Sequence, residues 1–118
     1  MDYQQIKVED REEVRLLVLA RPEKLNAWTE RMHVELVHAI EEGNIEKSVG
    51  AFVVTGEGRA FCAGADIGDV FAKTLDGESQ GYGELTKSVN WVGLVRESKP
   101  MVAAVNGPAV GLGLTMLL

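Results

Sequence analysis

Hydrophobic and polar positions divide the chain into short segments of two distinct periods. Residues 3–8 and 14–20 have strand length and are separated by the polar stretch EDREE, which predicts an antiparallel hairpin. The second run, VRLLVLA, reads as a strand buried on both faces. Pro22 has no N–H and restrains Arg21, so the pattern breaks over residues 21–28. Met32, Leu36, Ala39 and Ile40 then recur at helical spacing and predict an amphipathic helix. Asn26 or Thr29 is its expected cap, and Gly43 its expected C-terminal stop.

Residues 49–55, VGAFVVT, are short, rich in β-branched residues and bounded by turn signals, which predicts a buried strand. It runs into a glycine-rich loop over residues 56–67, with a short helix expected to start near Asp66. The polar stretch DGESQGYG, residues 76–83, reads as a surface loop. Leu85, Val89, Val92 and Val95 or Arg96 predict a second amphipathic helix over residues 84–97, ended by Lys99-Pro100. Residues 101–105 read as a third buried strand, followed by the loop NGPAVG and an apolar helix start at LGLTMLL. That run meets no glycine stop, basic last turn or polar tail, so we expect residues 1–118 to be the N-terminal part of a longer chain.

Composition changes the picture mainly by exclusion. Hydrophobic residues at 46% and charged residues at 25% match an ordinary folded chain. Twelve Lys and Arg against eighteen Asp and Glu give a formal charge of -6 with no basic stripe, which argues against nucleic acid or an anionic membrane as partner. No apolar run approaches the roughly 20 residues of a membrane span, and the charged N-terminus is unlike a secretory signal. Cys62 is the only cysteine, which excludes an internal disulfide or a Cys-based zinc site and fits a reducing compartment, so a cytoplasmic location is expected. Beside small apolar residues it reads as packing rather than as a nucleophile. His33 and His38 are five apart, the wrong spacing for two ligands on one helix face, and read as surface residues. Trp28 and Trp91 read as buried packing, and Asp66 as a helix cap.

Thirteen glycines concentrate in the second half and shape the two loops that could carry chemistry. Each loop follows a strand and leads into a helix, so each presents backbone N–H groups where negative charge is favoured. Two such loops face to face could supply two donors to one oxygen, as in an oxyanion hole. Phosphate sites use the same physics but fail on spacing. A dinucleotide fingerprint begun at Gly56 needs glycine where Phe61 stands, and neither loop ends in the Gly-Lys-Ser/Thr of a Walker motif.

Read together, LARPEKLNAWT, VVTGEGRAFCAGADI and KPMVAAVNGPAVGLGL resemble three successive signatures of the enoyl-CoA hydratase/isomerase (crotonase) superfamily, in order across nearly the whole chain. The resemblance implies an α/β fold, a spiral of β-β-α units that is incomplete here, with residues 1–118 as the N-terminal part of one crotonase-like domain. It implies an acyl-CoA thioester as the bound small molecule, no separate cofactor or metal, and assembly as trimers or pairs of trimers.

Site roles follow from the same resemblance. Ala65 and Leu112 occupy the positions whose backbone N–H groups receive the thioester oxygen. Lys24, Leu25, Ala63, Gly64, Asp66, Ile67 and Gly111 occupy substrate-binding positions, with Lys24 and Leu25 flanking the CoA phosphates and Arg21 a further charge. Hydratases carry a glutamate three residues beyond the second donor, where this chain has Thr115. A hydroxyl is a poor general base near neutral pH. Water addition engages two carboxylates, whereas moving a double bond from β,γ to α,β needs one base that removes a proton and returns it two carbons away. Thr115 therefore resembles the enoyl-CoA delta isomerase branch, a fatty-acid metabolism enzyme whose base lies beyond Leu118. Hydration (a lyase reaction) and a catalytically silent acyl-CoA-binding module are the alternatives.

Overall fold

The computed structural model describes residues 1–66, 68 and 91–115. Strands β1 (Ile6–Arg11) and β2 (Val14–Leu19) form the expected antiparallel hairpin, with Ile6 opposite Leu19 and Arg11 opposite Val14. Helix α1 (Glu30–Ile45) carries the chain to β3 (Ala51–Gly56), which pairs parallel with β2. Helix α2 (Trp91–Glu97) precedes β4 (Met101–Ala103), parallel to β3, and α3 (Leu112–Thr115) follows. The sheet order is β1-β2-β3-β4, and β1, β2 and α1 make one β-β-α unit of the expected kind.

Thr29 is the N-cap of α1: its Oγ1 accepts from the Met32 N–H at 3.1 Å. Met32, Leu36, Ala39 and Ile40 are all fully buried, and pack with Leu17, Leu19, Phe52 and Phe61 in one core. Burying each of the larger side chains contributes about 1.5–3 kcal/mol, so the apolar stripe is the main force seating α1 on the sheet. Arg15 lies under the helix, where Asp10 binds its guanidinium twice, at 2.8 and 3.0 Å, and the Ala39 carbonyl accepts a third bond.

Several boundaries differ from the sequence pattern for identifiable reasons. β1 starts at Ile6 rather than Tyr3 because the N–H groups of Gln4, Gln5 and Ile6 all donate to the buried Glu35 carboxylate of α1. Gly43 is not the stop of α1, which runs on to Ile45; a Cβ there would come within 2.6 Å of the Phe52 ring, so the glycine makes room for the core. β2 buries one face completely, through Arg15, Leu17 and Leu19, but leaves Leu16 and Val18 half-buried. Among the described residues β4 is the outermost strand after β3, with Val102 and Ala103 exposed rather than buried. His33 is buried, not at the surface, because Trp28 and Trp91 close over it. The expected loop at 76–83, the first turns of the helix at 84–97 and the residues after Thr115 lie outside the described residues. No helix among the described residues is long and apolar enough to cross a membrane.

Candidate functional site

The two glycine-rich loops meet beyond the ends of β3 and β4. Cys62 and Ala109 pair as an isolated parallel bridge, in which Cys62 donates to the Pro108 carbonyl at 3.2 Å and accepts from Val110 N–H at 3.0 Å. Gly64 has φ +100°, and a Cβ there would also stand 3.0 Å from the Val110 oxygen. Only glycine satisfies both conditions without strain. Gly113, in the first turn of α3, is pressed just as closely, since an added Cβ would lie 2.7 Å from that of Cys62. Loop 62–65 and loop 108–113 are thus locked in direct contact.

The first loop is also tied to the segment before α1. Ala63 donates to the Leu25 carbonyl at 3.0 Å, Trp28 donates to Gly64 at 2.7 Å, and Asp66 donates to Trp28 at 2.8 Å, which makes Ala65 the bridge partner of Trp28. Ala65 and Leu112 have a common feature: among the described residues, neither backbone N–H has a hydrogen-bond acceptor. Both therefore retain a donor that a ligand could use, at the start of one helix and in a loop locked against it.

Of the other positions expected from the resemblance to bind substrate, Ala63, Gly64, Asp66 and Gly111 lie in these two loops; Gly111 takes a left-handed φ of +56° that opens α3. Lys24 and Leu25 sit at the end of a short 3-10 helix, Pro22–Lys24, with Lys24 exposed and Leu25 left-handed at φ +53°. Arg21 does not project as a free charge. Its guanidinium donates to the Ala27 carbonyl at 2.7 Å and to the Asp66 carboxylate at 3.1 Å, an internal clasp between the two segments. Ile67 falls outside the described residues, and of the helix Asp66 was expected to cap only Gly68 is described, in helical conformation. Thr115 is the last residue of α3. Cys62 is fully buried, and burial pushes its thiol up despite an opposing bond from the Gly64 N–H, which fits packing rather than nucleophilic use.

Two asparagines cross-link the loops: Asn26, a candidate cap of α1 in the sequence although Thr29 takes that place, and Asn106, for which the sequence suggested no role. Asn26 is completely buried, accepts from the Arg21 N–H at 2.7 Å, and donates to the Glu57 and Ala60 carbonyls at 2.9 and 3.0 Å. Asn106 approaches from the other loop, accepting from the Gly56 N–H at 3.0 Å and donating to the Gly58 and Ala60 carbonyls at 3.0 and 3.1 Å. Both amides converge on the oxygen of Ala60 and set the path of the turn that delivers residues 61–65. The available signal was their place inside the motifs LNAW and VNGP, where an amide can cross-link loops that have no ladder of their own.

Enoyl-CoA hydratase ACTT3 of Alternaria alternata is 36% identical over 112 residues, covering 92% of this chain and 36% of that protein. The 1,2-epoxyphenylacetyl-CoA isomerase of Escherichia coli K12 is 35% identical over 111 residues, covering 89% of this chain and 41% of its own length. The crystal structure of enoyl-CoA hydratase EchA8_6 from Mycobacterium marinum superposes with a TM-score of 0.80 at 33% identity, over 96% of this chain and 53% of that one. This chain therefore spans between about a third and a half of the length of these proteins. A family model described as enoyl-CoA hydratase/isomerase matches residues 9–118, and with the three motifs, the β-β-α unit and the two interlocked loops in place, the chain belongs to the enoyl-CoA hydratase/isomerase family.

Proposed function

We propose that this chain supplies the charge-stabilising half of an acyl-CoA active site, with the Ala65 and Leu112 N–H groups binding the thioester oxygen as it becomes enolate-like. The observation that carries the reading is the pair of unengaged donors in two loops locked together by the Cys62–Ala109 bridge. Donors fixed in advance stabilise charge where it develops, and losing one costs about 10²–10³ in turnover. Lys24 stands exposed beside these loops and is suited to a CoA phosphate. Coverage of about a third to a half of each relative supports residues 1–118 as the N-terminal part of one such domain.

Within that chemistry, Thr115 favours isomerisation of a β,γ-enoyl thioester to its α,β form, because a hydroxyl cannot replace the carboxylate that helps split water. Hydration is the second reading, supported by relatives named as hydratases. Assays of the full-length protein on β,γ- and α,β-enoyl-CoA substrates decide between them. Isomerisation faster than hydration, with hydration raised in Thr115→Glu, is the expected result; efficient hydration by the wild type transfers the assignment to the hydratase reading. Ala65→Pro, which deletes one donor, should abolish turnover with its thermal midpoint retained, and a fully active variant removes the oxyanion assignment.

A further inference from the structure

Behind Ala65 lies an aromatic cluster to which the proposed thioester binding assigns no role. Trp28 grips the Ala65 segment on both sides, through its N–H to Gly64 and its carbonyl from Asp66, so the orientation of the Ala65 peptide follows the Trp28 backbone. The Trp28 indole is buried and held edge-on by two rings: His33 at 5.8 Å with planes at 67°, and Trp91 at 6.1 Å with planes at 83°. His33 and Trp91 close the triangle at 6.0 Å. His33 comes from α1 and Trp91 from α2, so three separate segments meet at one point.

His33 is an expensive choice for mere filler. It is 4% exposed and its Nε2 has no hydrogen-bond partner among the described residues, a cost that a leucine of similar bulk would not carry. What an apolar aliphatic side chain would lack is a flat ring edge to set the tilt of the indole. We propose that His33 and Trp91 are positioning residues, which orient the Trp28 indole from two sides and thereby aim the Ala65 N–H at the reacting oxygen. The inference rests on the oxyanion role of Ala65 stated above.

The test is steady-state kinetics of the full-length protein on its preferred enoyl-CoA, with thermal midpoints measured in parallel. His33→Leu should be at least as stable as the wild type, since it removes a buried nitrogen that has no partner among the described residues, and should lower kcat about tenfold to a hundredfold, the cost of a small misalignment, with KM within about threefold. His33→Phe restores a ring edge and should recover most of the lost kcat. Trp91→Leu and Trp91→Phe form a second pair with the same expectation should Leu at position 33 impair folding. A His33→Leu enzyme with wild-type kcat overturns the proposal, as does equal slowing by Leu and Phe, which would assign the effect to the imidazole nitrogen. Ala65→Pro separates the two levels: if it is inactive while His33→Leu is fully active, positioning fails and the oxyanion reading stands; if it is fully active, both fail.

Discussion

Asn26 allows the architecture of the site to be tested by stability alone. Its side chain makes three hydrogen bonds from a fully buried position, to Arg21 N–H, Glu57 O and Ala60 O, while its backbone sits at a left-handed φ of +56°. Asn26→Gly removes the amide but tolerates the backbone conformation. At about 1 kcal/mol net for each buried hydrogen bond, the loss should be about 3 kcal/mol. Asn26→Ala removes the same amide and also places a Cβ-bearing residue without a local hydrogen-bonding side chain in the left-handed region, adding about 1–2 kcal/mol. The expected order of stability is wild type, then Gly, then Ala, read from urea unfolding followed by the fluorescence of Trp28 and Trp91. Asn26→Gly within about 0.5 kcal/mol of the wild type, the range of an inconsequential surface change, would refute the stabilising role of the Asn26 amide and leave Asn106 as the side chain supporting the turn. A glycine variant less stable than the alanine variant would refute the backbone part of the argument.

Two pH dependences follow from buried groups. Burial pushes the Glu35 carboxyl up, but the Gln5 N–H, the Arg31 guanidinium and the Gln4 and Ile6 N–H groups together outweigh it and hold the group below its ordinary value of 4.5. Its stabilising contribution is full above that value and is lost as pH falls through the lower folded value, so Glu35→Gln should flatten this part of the acid limb of unfolding free energy; identical limbs in the two proteins exclude Glu35 as the cause. Burial lowers the His33 imidazole from 6.5, opposed by the Glu30 carboxylate, so the unfolded chain takes up the proton first. Stability should decline as pH drops below about 6.5 towards the folded value, and His33→Phe should lose that decline; an unchanged decline would place it on another group.

Much of the fold was legible because it depends on local periodicity. The spacing of Met32, Leu36, Ala39 and Ile40 identifies the buried stripe of α1, and Thr29 is one of two candidate caps, Asn26 being the other, between which the sequence does not choose. What escaped were choices made by distant partners. A glycine two residues before a helix end reads as a terminator, yet Gly43 answers to the Phe52 ring from another strand. His33 looks like a surface residue until Trp91, 58 positions later, covers it. The hydrophobicity of residues 101–105 signals a strand but not that Val102 and Ala103 are exposed among the described residues. For the site, the three motifs marked the loops that meet, because glycine and proline patterns encode loop shape directly. The amide bonds of Asn26 and Asn106 to Ala60 were not readable, since both asparagines are equally common as turn residues and only the closed structure reveals their shared acceptor.

Lys99 gives α1 and β4 a common fate. Helix α1 has no basic residue in its last turn; the cation at its C-terminal end is instead Lys99, whose ammonium donates to the carbonyls of Gly43, Glu46 and Val49 at 2.9, 2.7 and 2.5 Å. The Lys99 N–H and Ser98 hydroxyl also reach the Asn44 side chain. The helix end thus borrows its charge compensation from a residue about fifty positions away, and acquires it only when the chain has crossed over to lay β4 beside β3. The last turn of α1 and the pairing of β4 with β3 therefore stabilise one another, so a change that displaces Lys99 should loosen both.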